Sequence, residues 1–152
     1  MMRLPLLGLA LLGCGGTAID PVADGLPPIT DYQSWQLAAT VAQSVAGLGD
    51  SVRLIFANPV ARDYSHSGRY PIGTVLVKEV RARHQDGSAG DLRYLAIMRK
   101  VGDDAELDAP VDEGWVYSTA SSATGGESSS GACFATCHRQ ATHDGVWLDY
   151  GQ

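Results

Sequence analysis

Behind Thr30, apolar side chains recur at Trp35, Ala38, Ala39, Ala42 and Val45. That spacing lines one face of an α-helix, and Thr30 with Gln33 has the form of a capping box. The pattern predicts an amphipathic helix over residues 31–46, stopped at Gly47-Leu48-Gly49, with its apolar stripe packed on a core. Residues 52–59, which end in Asn58-Pro59, read equally as a strand or a short helix. From Tyr70 the period becomes two. Ile72, Thr74, Leu76, Lys78 and Val80 alternate with Gly73, Val75, Val77, Glu79 and Arg81, which predicts a strand. A Gly-rich turn at 86–90 leads to a second strand over 92–101, and Gly102-Asp103-Asp104 with Pro110 leads to a third at Trp115-Val116-Tyr117. Consecutive strands joined by short turns favour antiparallel pairing. Residues 118–132 are almost wholly Ser, Gly, Ala and Thr and read as a long loop, and 146–150 as a short closing strand. The expected fold class is α+β: mainly antiparallel β-sheet, an N-terminal amphipathic helix, and a cysteine-bearing segment near the C-terminus.

The N-terminus adds a compartment. Met1-Met2-Arg3 is a short positive start, and Leu4 to Leu12 is an apolar run too short to span a bilayer as a helix. It ends in Leu11-Leu12-Gly13-Cys14, which looks like a bacterial lipobox; an ordinary secretory leader is the alternative. The lipobox reading makes 1–13 a lipoprotein signal peptide, Cys14 the lipidated residue, 14–29 a flexible tether with Gly25 and Pro27-Pro28, and 30–152 the folded domain. The expected location is the periplasm, attached to the bacterial membrane through Cys14. There both disulfides and thioether-linked haem can form. A formal net charge of −6 argues against nucleic acid and against adhesion to anionic lipid, so membrane contact is left to the acyl chains.

Three cysteines are an odd number for an exported chain. With Cys14 lipidated, one pair remains, in Cys133-Phe134-Ala135-Thr136-Cys137-His138. This C-x-x-x-C-H segment is one residue longer than the C-x-x-C-H of c-type haem attachment. Two thiols add to the vinyl groups of one porphyrin, and the following His reaches the iron. The extra residue is expected to bulge the loop between the two links. A Cys133–Cys137 disulfide in a haem-free lipoprotein, or half of a zinc site, are the alternatives. The adjacent His favours haem.

Several stretches together resemble the cytochrome P-460 family, which includes the cytochromes c′-β. They are Asn58-Pro59-Val60-Ala61, the run from Tyr70-Pro71-Ile72-Gly73-Thr74 through Val75-Leu76-Val77-Lys78-Glu79, then Met98-Arg99-Lys100, Gly114-Trp115-Val116-Tyr117 and the cysteine segment. The resemblance implies a mainly β, homodimeric, periplasmic protein with one covalent haem c per chain. It implies thioether links at Cys133 and Cys137 and proximal ligation by His138. In one branch a lysine, matched here by Lys78, is also bonded to the porphyrin, and the enzyme oxidises hydroxylamine. In the c′-β branch that bond is absent and the open iron binds nitric oxide or other small gases. Electrons would pass to a redox partner such as a soluble c-type cytochrome.

Alternation tilts Lys78 toward the interior, where lost solvation favours a neutral, nucleophilic amine. Arg53 lies near where the resemblance implies polar residues over the distal face of the haem, where a guanidinium could hold a nitrogen oxide by charge-assisted hydrogen bonds; a surface arginine at a strand start is the alternative. Glu127, in the loop before the cysteines, is the candidate proton acceptor. Met98 reads as core filling rather than a sixth ligand. His66, His84 and His143 read as surface residues. The chain has two phenylalanines, and with Phe134 inside the cysteine segment Phe56 alone cannot form the paired cap of a c′-β gas pocket, although Leu or Trp could substitute; this favours a polar pocket.

Overall fold

The computed structural model describes residues 16–45, 49–66, 68–107 and 109–147. Its strands are β1 (Ala18–Ile19), β2 (Gln36–Val45), β3 (Gly49–Ala57), β4 (Val75–Arg83), β5 (Ala89–Lys100), β6 (Val111–Asp112), β7 (Trp115–Ala120) and β8 (Glu127–Ser129). They form one antiparallel sheet in the order β1-β8-β7-β5-β4-β3-β2, with β6 beside β7. Among the described residues a single short α-helix, α1 (Gly131–Thr136), follows β8. Tight 3-10 turns cover Tyr32–Ser34, Pro59–His66 and His138–Gln140. The segment expected to be a signal peptide and Cys14 lie outside the described residues, as does the end of the closing strand expected over 146–150.

The amphipathic helix expected over 31–46 does not form. Tyr32–Ser34 makes one 3-10 turn, and Gln36–Val45 is then an edge strand paired along β3. Alanine spacing suggested a helix, but pairing with β3 overrides that local preference. A register shift between Leu37 and Ala39 breaks the alternation and hides the strand period. The fold class is therefore mainly antiparallel β with one short helix near the C-terminus.

Two further expectations change. Part of the tether is folded: Ala18–Ile19 pairs with β8, and Ile19 and Leu26 are buried. The long loop over 118–132 is interrupted, because β7 runs on to Ala120 and Glu127–Ser129 returns beside it.

Residues directly opposite in a ladder share a face, and neighbours along a strand point to opposite faces. Ile55, Lys78, Ala96 and Thr119 therefore form one row, flanked on the same face by Leu76, Met98 and Tyr117. This first face carries the core of Ile55, Leu76, Met98, Trp115, Tyr117, Tyr64, Tyr70 and Val146, with Cys133 packed against it. The second face carries Val75, Val77, Leu95 and Ile97 under Ile29 and Tyr32. β4 and β5 are covered on both faces, so apolar residues occupy both alternating sets.

Asn58 sets the register that places Lys78. Its side-chain oxygen accepts from Val75 N at 3.0 Å and its amide donates to Gly73 O at 2.9 Å. These bonds fix the start of β4 against the end of β3.

Candidate functional site

The cysteine segment hangs from the end of β7. Ser129 pairs with Ser118, and Ser130 N then donates to Tyr117 O at 2.8 Å as the chain enters α1. At the C-terminal end of α1, Cys137 N donates to Cys133 O at 3.1 Å, the i to i−4 bond of an α-helix. Residues four apart lie on one side of a helix, one turn apart. The three-residue spacing is thus absorbed by a helical turn, not the bulge expected from the sequence. Both thiols are free; Cys133 is half-buried beside Ser130 Oγ at 2.9 Å, and Cys137 is exposed.

His138 follows at once and is held by its ring. Its Nδ1 lies 2.7 Å from Gly145 O. A carbonyl oxygen only accepts, so Nδ1 carries the proton and Nε2 keeps its lone pair for a metal. Burial lowers the imidazole pKa; the Gly145 bond opposes this, and the charge of Lys78 adds to it. The ring is therefore neutral at pH 7, as a ligand must be. Tyr117 lies beside it, ring centroids 5.0 Å apart.

Lys78 completes the group. Burial lowers its pKa, Arg53 lowers it further, and the two thiols, Cys133 and Cys137, act in the opposite sense. Among the described residues no carboxylate is paired with it. Such an amine is easier to deprotonate and so more nucleophilic than a surface lysine. Arg53 is opposite Val80, two residues along the same face, and its buried Nε has no hydrogen-bond partner among the described residues. A buried donor left without an acceptor marks a place where an anion or polar ligand would bind favourably. Lys78, Arg53, Cys133, Cys137 and His138 therefore meet on the first face.

Glu127 does not join them. It is opposite Ala120, on the second face, and its two oxygens accept from Arg99 Nη1 and Nη2 at 2.7 Å each, with Ser118 Oγ at 2.6 Å. Burial raises its pKa, but the bonds from Arg99 and Ser118 outweigh that and leave it lowered. A carboxylate so engaged is an ion-pair partner, not a proton acceptor for a ligand on the other face. Phe56 is also on the second face, edge-on to Tyr32 at 5.3 Å. Met98 is buried in the first-face core, and His84 is exposed. His143 is part-buried rather than a surface residue, its Nδ1 3.2 Å from Tyr64 Oη. The side chain of His66 lies outside the described residues.

The partner of His138 was not singled out from the sequence, although its signal is there. Asp144-Gly145 has the composition of a type I′ turn, and both residues have positive φ, 53° and 78°. His143 and Val146 close the turn by two 3.0 Å backbone bonds.

The residues present fit a c-type haem. Two free thiols share one side of a helical turn, a neutral imidazole presents Nε2, and a buried guanidinium donor lacks an acceptor. Among the described residues no group of three or more His, Cys, Asp or Glu is arranged to hold a metal ion. The site offers the single axial imidazole that a porphyrin iron needs, rather than the closed ligand set of a zinc centre. Comparison with curated proteins finds no significant match. A sequence model of the family described as cytochrome P460 matches residues 29–148, from the second-face cover at Ile29 past the cysteine segment and the turn that holds His138. With residues 29–148 matched by that model, the chain belongs to the cytochrome P460 family of c-type haem proteins.

Proposed function

We propose that this chain is an exported cytochrome that oxidises hydroxylamine or a related small nitrogen compound at one covalently attached haem. Cys133 and Cys137 would carry the porphyrin through thioether bonds, and His138 Nε2 would hold the iron. A bound haem supplies an open iron position and a route for electrons to an external acceptor such as a soluble c-type cytochrome. The observation that carries the proposal is the meeting of Lys78, Arg53, both thiols and His138 on the first face.

Each side chain has a distinct task. Lys78, its amine biased toward the neutral form by burial, would bond covalently to the porphyrin. Arg53 offers its Nε donor to a nitrogen oxide or hydroxyl group by a charge-assisted hydrogen bond. His138 keeps its proton on Nδ1 and leaves Nε2 to the metal. The lipid at Cys14 would hold the domain at the periplasmic face of a membrane, and the working unit would be a homodimer.

One observation favours a second reading, a nitric oxide or gas binder without turnover. Glu127 is committed to Arg99, so the carboxylate expected to take substrate protons is elsewhere. The ferrous absorption spectrum and a hydroxylamine turnover assay separate the two. A strongly red-shifted Soret band, lost in Lys78→Ala, together with turnover supports the oxidase. An ordinary five-coordinate c-type spectrum without turnover supports the gas binder. Labelling with a fatty acid, abolished by Cys14→Ser, tests the anchor.

A further inference from the structure

A buried cation, Lys100, lies on the first face opposite Trp115. Its Nζ is 3.1 Å from both carboxylate oxygens of Asp144 and donates to Glu113 O at 2.9 Å, above the Trp115 ring at 5.1 Å. Asp144 is itself tied down at other points. Its Oδ2 accepts from Tyr70 N at 2.8 Å, its main-chain oxygen accepts from Trp115 Nε1 at 2.7 Å, and Arg69 Nε lies 3.8 Å from Oδ1. The residue after it, Gly145, supplies the carbonyl that receives the Nδ1 proton of His138. A Cβ added at Gly145 would come within 3.3 Å of Tyr117 Oη and 3.5 Å of the Trp115 ring, so the turn is packed against the core.

A two-residue turn on the surface would have no need of a buried ion pair. A carbonyl that must stay within hydrogen-bond reach of a metal-bound imidazole does, because the ring's orientation and basicity follow from what its other nitrogen touches. We propose that Asp144, locked by Lys100, is the positioning residue for His138. It holds the Gly145 carbonyl against Nδ1 and thereby sets the electron donation of the imidazole to the haem iron. The inference rests on the reading of His138 as iron ligand. A firmly held carbonyl makes the imidazole a better donor and stabilises the oxidised iron. A loosened carbonyl does the reverse.

The test uses the haem-loaded protein and compares Asp144→Gly, Asp144→Asn and His138→Ala with the parent. Glycine keeps the positive φ of the turn without strain but removes every side-chain anchor. Asparagine also tolerates the positive φ and retains an acceptor for Tyr70 N. Two quantities are read: the iron–histidine stretch of the ferrous protein by resonance Raman, and the reduction potential by spectroelectrochemistry. Asp144→Gly is expected to keep its haem, lower the stretch frequency, and raise the ferrous-to-ferric ratio at fixed poise by up to about tenfold, or about 59 mV for one electron. Asp144→Asn is expected to fall between Asp144→Gly and the parent. A parent-like stretch and potential in Asp144→Gly overturn the inference. If His138→Ala keeps the stretch, the ligand assignment itself is overturned, which is a separate outcome.

Discussion

The charged side chains of the second face and those beside the cysteine segment on the first sit under opposite conditions. On the second face Arg99, with no side-chain exposure, meets both oxygens of Glu127, and its Nε donates to Pro27 O at 2.9 Å. Glu79, also buried there, accepts from Arg81 and from Tyr32 Oη, the latter at 2.6 Å. On the first face, around the cysteine segment, Lys78 and Arg53 lie near one another without a carboxylate between them, and Arg53 Nε lacks an acceptor. A satisfied buried pair holds strands together, whereas a half-buried cation with an unpaired buried donor, as at Arg53, costs stability unless something else meets it. The contrast separates the architectural charges from the functional ones. It also explains why Glu127, which sequence alone placed in the functional set, belongs to the other.

Breaking the second face should have the largest effect on stability. Glu127→Ala leaves Arg99 buried without its partner and should destabilise the fold by about 3–5 kcal/mol, read from the urea midpoint. The haem spectrum of the surviving folded protein should be unchanged. A shifted spectrum would move Glu127 back to the functional face.

Acid should act through the same pairs, with a smaller effect per group. Glu79 and Glu127 both have folded pKa values below the ordinary glutamate value of 4.5. Their contribution is fully present above that value and is lost as pH falls through the lower folded values. Stability measured against pH should therefore fall steeply below pH 4.5, and Glu127→Gln should flatten the slope.

On the first face, Lys78→Met should change stability by less than about 1.5 kcal/mol, because an apolar side chain of similar length replaces an amine with no acidic partner. Its effect should be spectroscopic instead, with loss of the red-shifted Soret band. A loss of stability matching that of Glu127→Ala would erase the distinction between the faces. Smallest of all, Asp103→Asn, which breaks a pair to Arg69 that is 61% exposed on both sides, should stay within about 1 kcal/mol.

What could be read from the sequence follows the range of the interactions. β4, β5 and β7 announce themselves as runs rich in β-branched, apolar and aromatic residues between Gly- and Pro-bearing turns, and the thiols with their histidine by spacing. Both signals are local. The fate of residues 36–45 was not local: alanines fit either structure, and only β3 decided it. β8 is three residues of Glu and Ser, with no apolar period to find, and Glu127 is buried only because Arg99, distant in sequence, waits on β5. Lys100 stands in the chain like any polar strand end, and its burial depends on Asp144, 44 residues later. The Asp144-Gly145 turn is different, since its dipeptide is a recognised turn signal and needed only to be connected with His138.

The most direct measurement is peptide mass spectrometry of the protein produced with a c-type haem maturation system. The predicted result is one haem bonded to both Cys133 and Cys137 in a single peptide. Recovery of that peptide with two alkylatable thiols, or with a Cys133–Cys137 disulfide and no haem, would contradict the central claim.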